Sequence, residues 1–221
     1  MGSKTILKPI HREFLEAVNK KNYITKNYYW TGGTVLSEFY LHHRDSQDID
    51  LFIEDREVFL PPIASFMEKF RRQTKANKLT HETFLGLESF RFEYTDTALK
   101  VDFNYYPFLR IEKGKKWKNI EIDSILDIAV NKVHTIYMKP RARDYIDLFF
   151  IMQAQNYSLE YLIKQAKAKF DWHIDPIQLG NKFILVFKKQ DFPKMLVPFN
   201  RKEMETFFLK LAKRLEGEIF K

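Results

Sequence analysis

The chain has 221 residues, enough for one large domain or two small ones, and its 45% hydrophobic residues, with 21 Phe and 11 Tyr, suit a globular core. With no cysteine, disulfides and thiolate metal sites are excluded; no apolar run approaches a membrane helix, and the opening MGSKTILKPIHREF lacks the apolar centre of a signal peptide, so a soluble cytoplasmic protein without a membrane partner is expected. The net charge of +8 divides into +1 over residues 1–110 and +7 over residues 111–221, which favours a polyanionic partner, although solubility alone also accounts for a lysine-rich surface.

Residues 4–21 carry Ile6, Ile10, Phe14, Leu15 and Val18 at helical spacing. Asn27 to Thr31 reads as a short strand running into a turn at Gly32-Gly33, and Val35 to Leu41 as the helix that follows. After the loop from His42 to Gln47, Asp48 to Glu54 (DIDLFIE) reads as a strand. Pro61-Pro62 suits the first turn of a helix over 63–73. From Leu79 to Tyr106 apolar residues alternate with polar ones, with a turn at 95–97, which predicts a hairpin or meander. A basic loop at 111–120 leads to a helical half. Ser124 can cap a helix ending near Lys139, Pro140 begins another through about Gln153, and 158–169 and 201–217 are amphipathic helices. The pattern over 175–199 is ambiguous between helix, strand and loop. The layout is an α/β part, residues 1–120, and a helical part, residues 121–221.

The stretch GGTVLSEFYLHHRDSQDID, residues 32–50, carries the chemistry. Residues two apart on a strand face the same way, so Asp48 and Asp50 project from one side. Carboxylates held that close repel, and a divalent ion with oxygen ligands, Mg²⁺ above all, relieves the repulsion. Glycines ahead of a helix let backbone N–H groups approach phosphates. Asp102 lies on a strand whose other face, Val101 and Phe103, is apolar. If that strand neighbours the first, three carboxylates converge, as a two-metal phosphoryl-transfer site requires. P-loop and dinucleotide-binding motifs are missing.

GGT, then Arg44 and Ser46, then DID resembles the opening motif of the nucleotidyltransferase superfamily. Lys132 within DIAVNKVHTIYMK, followed by RARDYIDLFF at 141–150, looks like the helical motif of the AbiEii/AbiGii-type nucleotidyltransferase toxins. The likeness covers most of residues 28–150. It implies an α+β architecture: a minimal nucleotidyltransferase fold, a mixed β-sheet with flanking helices, followed by a helical C-terminal part. It implies transfer of a nucleoside monophosphate from an NTP, a toxin with an antitoxin partner, and, for some members, the acceptor end of tRNA as target.

The expected roles follow from that likeness. Asp48, Asp50 and Asp102 hold Mg²⁺. Gly32, Gly33 and Thr34 meet the triphosphate through backbone N–H groups. Ser46 donates to a phosphate oxygen or caps the loop; Arg44 pairs with the triphosphate or lies on the surface. Lys132 reaches the phosphates as a point charge. Asp144 either supports Lys132 or Arg143 or, with Asp147, pairs structurally with Arg141, Arg143 or Lys132. His42 and His43, adjacent in sequence, are not expected to share a metal. Trp117 stacks on a base or packs on the domain. The favoured acceptor is RNA, the 3′ end of tRNA. The alternatives are the same fold acting on a protein or small-molecule hydroxyl, or a nucleotide-binding module without turnover.

Overall fold

The computed structural model describes residues 5–219, with side chains through Leu215. In chain order the elements are α1 (Pro9–Asn19), α2 (Asn22–Asn27), β1 (Tyr29–Thr31), α3 (Gly32–Val35) continuing as a π-helical stretch (Leu36–Leu41), β2 (Ile49–Ile53) and α4 (Leu60–Thr74). Then come β3 (Lys78–Phe84), β4 (Leu87–Glu93), β5 (Ala98–Tyr105), β6 (Lys116–Trp117) and β7 (Ile120–Ile122). The remainder is helical: α5 (Ile125–Met138), α6 (Ala142–Ala154), α7 (Leu159–Phe170), α8 (Pro176–Ile184) with a 3-10 turn (Leu185–Lys188), and α9 (Arg201–Ile219). No helix among the described residues is long and apolar enough to cross a membrane.

The chain forms two compact units. The first comprises residues 1–38, 46–109 and 113–124; the second comprises 39–45, 110–112 and 125–221. The first is built on a mixed seven-stranded sheet of order β3-β4-β5-β2-β1-β7-β6. Here β2 runs parallel to β5 and β1 parallel to β7, while the β1–β2, β3–β4, β4–β5 and β6–β7 pairs are antiparallel. Alternation makes the two faces of its centre unlike. Ile49, Leu51 and Ile53 of β2 and Leu99, Val101 and Phe103 of β5 are fully buried. The same core holds Phe14 of α1 and Phe70 of α4, whose rings meet edge-on at 5.2 Å, with Phe92 of β4 5.4 Å beyond Phe70. Polar residues of β2 and β5 take the other face.

Helix ends follow local chemistry. Prolines open α4, and Lys75 closes it in the left-handed conformation, its N–H returning to the carbonyls of Arg71 and Arg72. Ser158 caps α7 by accepting from the Tyr161 N–H at 3.1 Å, and Asp175 caps α8 by accepting from Gln178 at 2.8 Å. The second unit packs α5 to α9 around buried Ile128, Val133, Tyr145, Leu162, Phe183 and Phe208.

Three segments depart from expectation. The helix after the glycine turn widens into π geometry from Leu36. The basic loop contains the β6–β7 hairpin, because Ile120 and Ile122 alternate beneath the lysines and β7 finds a parallel partner in β1. Gly114 permits that path, since a Cβ there would lie 1.8 Å from the Ile122 carbonyl oxygen. Residues 175–199 form α8, the 3-10 turn and an irregular strap. That strap bridges residues 43–45: the Asp45 N–H donates to the Lys194 carbonyl at 2.8 Å, and the Leu196 N–H to His43 at 2.9 Å.

Candidate active site

In the first unit the site is assembled where α3 leaves β1. Gly32 holds φ +87°, and a Cβ there would lie 2.3 Å from Oδ2 of Asp50. The turn thus favours glycine for its backbone sign, and a Cβ there would also push the Asp50 carboxylate aside. Thr34, fully buried, donates its hydroxyl to the Asp48 carbonyl oxygen at 2.6 Å and lies 3.0 Å from the Ser46 hydroxyl. These side chains fix the entry to β2; Asp48 is the residue just before that strand rather than within it. Across the parallel β2–β5 pair, Asp50 is in register with Asp102, so both carboxylates rise from one sheet face.

Asp102 is buried, whereas Asp48 and Asp50 are half-buried, and both Asp102 oxygens are engaged. Ser89 Oγ donates to Oδ1 at 2.6 Å, and Lys100 Nζ donates to Oδ2. Burial alone would lower the Lys100 pKa; the hydrogen bond to Asp102 and the charges of Asp102, Asp48 and Asp50 outweigh it and raise the pKa above its ordinary value. Among the described residues no three His, Cys, Asp or Glu side chains are grouped as a metal cage. The β2–β5 pairing expected for the acids is present, with Asp50 and Asp102 side by side, and Asp102 is in addition held by a lysine and a serine. Asp48 and Asp50 still offer hard oxygen donors suited to Mg²⁺, beside a turn that only a missing Cβ leaves open.

The other predicted residues lie in the second unit. Lys132, 9% exposed on α5, donates to Asp144 Oδ1 at 2.8 Å and lies 2.7 Å from Asp147 Oδ2. Arg44 forks onto the same Asp147, Nε to Oδ1 at 2.6 Å and Nη2 to Oδ2 at 2.8 Å, and is itself only 2% exposed. Its guanidinium is therefore turned into an internal pair, which excludes the surface position expected as its alternative. His43 Nε2 stands 2.9 Å from Asp147 Oδ1, so the neutral ring carries its proton on Nε2 and donates it. Asp144 also accepts from the Arg141 backbone N–H at 3.0 Å and its side chain at 3.1 Å, closing the first turn of α6.

Burial would push the Asp147 carboxyl up, but Lys132 and Arg44, with hydrogen bonds from Arg44 and His43, hold it well below the usual carboxylate range. Burial lowers the His43 pKa despite the neighbouring carboxylate. For Asp144, burial is outweighed by Lys132 and Arg141, which lower its pKa.

Sequence reasoning did not single out Lys100 or Ser89, and it gave Asp147 and His43 only background roles. Lys100 was within reach, two residues before Asp102 on one strand face. The hub at Asp147 joins residues about a hundred positions apart, which no local pattern reveals.

The family model described as "Nucleotidyl transferase AbiEii toxin, Type IV TA system" matches residues 14–216. An uncharacterized Aquifex aeolicus (strain VF5) protein, aq_aa25, is 28% identical over 166 residues, 74% of this chain and 76% of its own. The crystal structure of JHP933 from Helicobacter pylori superposes with a TM-score of 0.58 at 16% identity, over 94% of this chain and 91% of that one. A further H. pylori structure, of a candidate nucleotidyltransferase, gives the same score and identity over 94% of each chain. These two structural likenesses carry the fold.

Proposed function

The chain belongs to the AbiEii family of nucleotidyltransferase toxins, and on that premise we propose that it transfers a nucleoside monophosphate from an NTP to a hydroxyl of RNA, with Mg²⁺ held by Asp48 and Asp50. The acceptor oxygen bonds to the α-phosphorus in line, the bond bridging the α- and β-phosphates breaks, pyrophosphate leaves and the hydroxyl proton is released. A divalent ion at Asp48 and Asp50 would supply charge neutralisation to the phosphates and acidify the attacking hydroxyl.

The observation that carries this reading is the Gly32 turn, which sits against the Asp50 carboxylate so closely that any side chain would displace it. Gly32, Gly33 and Thr34 then offer backbone N–H groups to the triphosphate, while the Thr34 hydroxyl holds the Asp48 main chain. Ser46 reinforces Thr34. In the second unit Lys132 is the candidate point charge for phosphate, and Asp144 and Asp147 are its positioning residues. The 3′ end of tRNA as acceptor, a cognate antitoxin and a cytoplasmic location belong to the same proposal; the toxin–antitoxin description of the family supports the antitoxin.

Total cellular RNA, Mg²⁺ and each α-labelled NTP in turn, beside an Asp48→Asn control, test the reading on one gel carrying both RNA and protein. Label is expected on an RNA band and absent from the control, whose melting temperature stays close to that of the unaltered chain. Label confined to protein would replace the acceptor. Full activity of Asp48→Asn would remove that residue from the metal site.

A further inference from the structure

Three carboxylates on one sheet region carry a formal charge of −3, and a lysine stands among them. Lys100 and Asp102 lie two apart on β5 and share its polar face, with the Lys100 ammonium donating to Asp102 Oδ2 while Ser89 takes Oδ1 at 2.6 Å. Asp102 in turn is in register with Asp50 on the adjacent parallel strand. Asp48 and Asp50 also act electrostatically on the same ammonium. We propose that Lys100 is the built-in cation of this cluster: it fills the place beside Asp102 that a second divalent ion would take, so that the site binds one metal ion, at Asp48 and Asp50.

This rests on the reading of Asp48 and Asp50 as metal ligands. Charge supports it. With Lys100 the cluster sums to −2, which a single divalent ion neutralises; a second ion would have to displace an ammonium that already satisfies Asp102. Each Asp102 oxygen already accepts one hydrogen bond, from Ser89 and from Lys100, so a second ion there would meet the Lys100 ammonium at close range. Lys100 is thus a positioning residue, and Asp102 anchors it.

The test titrates the full chain with Mn²⁺ alone, following free ion by electron paramagnetic resonance and melting temperature in parallel. The unaltered protein should bind one ion, lost in Asp48→Asn. Lys100→Gln should bind a second ion, or bind the first about tenfold more tightly, and its melting temperature should rise more with Mn²⁺ than that of the unaltered chain. Lys100→Arg should restore the single ion. Lys100→Met, which keeps the aliphatic stem, repeats the measurement if the glutamine variant does not fold. Two ions in the unaltered protein, or equal stoichiometry, affinity and thermal shift in Lys100→Gln, would overturn the proposal. No ion bound to the unaltered protein would instead overturn the metal reading beneath it.

Discussion

Gly32 and Gly86 share a left-handed backbone, φ +87° and +80°, but differ in what a Cβ would meet: Asp50 Oδ2 at 2.3 Å for Gly32, and the Tyr105 Cβ at 3.5 Å, an ordinary contact, for Gly86. Alanine at either position carries the strain of a side chain in that region, about 1 kcal/mol. Only Gly32→Ala also pushes a carboxylate out of place. Transfer should therefore fall by about a hundredfold in Gly32→Ala, since displacement of a reacting geometry by about 1 Å is enough for that, while Gly86→Ala stays near full activity with a lowered melting temperature. Rates and melting curves of the pair separate the two effects. Equal rates would show that the Asp50 position is irrelevant to the chemistry.

At the scale of elements, α5, α6 and the 43–45 segment are joined at one buried acid, Asp147 on α6. Asp147→Asn leaves Lys132 and Arg44 short of their counter-charge and should cost about 3–5 kcal/mol, whereas Arg141→Ala removes a half-exposed partner of Asp144 and should cost about 1 kcal/mol or less; urea midpoints give both. The hub also predicts acid sensitivity. The folded-state pKa of His43 lies below its ordinary 6.5, so the unfolded chain takes up the proton first and stability declines as pH falls below about 6.5. Asp147 is likewise depressed; its contribution, present above the ordinary 3.8, is lost as pH falls through its folded value. Between pH 8 and 5 the His43 effect dominates this hub, and His43→Gln, which keeps a donor for Asp147, should flatten the decline. An unchanged slope in that variant would place the acid sensitivity elsewhere, with half-buried His134, whose pKa burial also lowers, the next candidate. What the sequence revealed of these elements tracks how local their causes are. Helix α4 was legible because Pro61-Pro62 announces it, and β4 and β5 because Phe90, Phe92, Val101 and Phe103 alternate with polar residues. The β7 strand was hidden beside a lysine-rich run, since its three residues are strand only by pairing with β1 and β6. The fork of Arg44 onto Asp147 was equally unreadable, because it depends on a contact between distant segments.

For the whole molecule, the +8 charge is less available to a polyanion than its count suggests. Lys169 is buried against Asp127 at 2.7 Å. Lys182 and Lys189 donate to the carbonyls of Met138 and Pro140 at 2.9 and 2.6 Å, near the end of α5, where cations favour the helix dipole. Lys118 is paired with Glu16. These lysines stabilise the fold, and others, exposed Lys164 and Lys188 among them, remain for an outside partner. If RNA is the acceptor, its affinity should fall linearly with salt on logarithmic axes, each phosphate contact contributing about 0.7 to the slope for single strands. Lys164→Gln and Lys188→Gln should each weaken binding and make that slope shallower while leaving the melting temperature nearly unchanged. Lys169→Gln should do the reverse, lowering stability with the slope intact, because its ammonium never reaches solvent. Fluorescence anisotropy with labelled RNA from 50 to 300 mM salt, at roughly the range where such slopes are resolved, checks all three. A flat salt dependence in the unaltered protein would turn the search from RNA toward an uncharged acceptor hydroxyl.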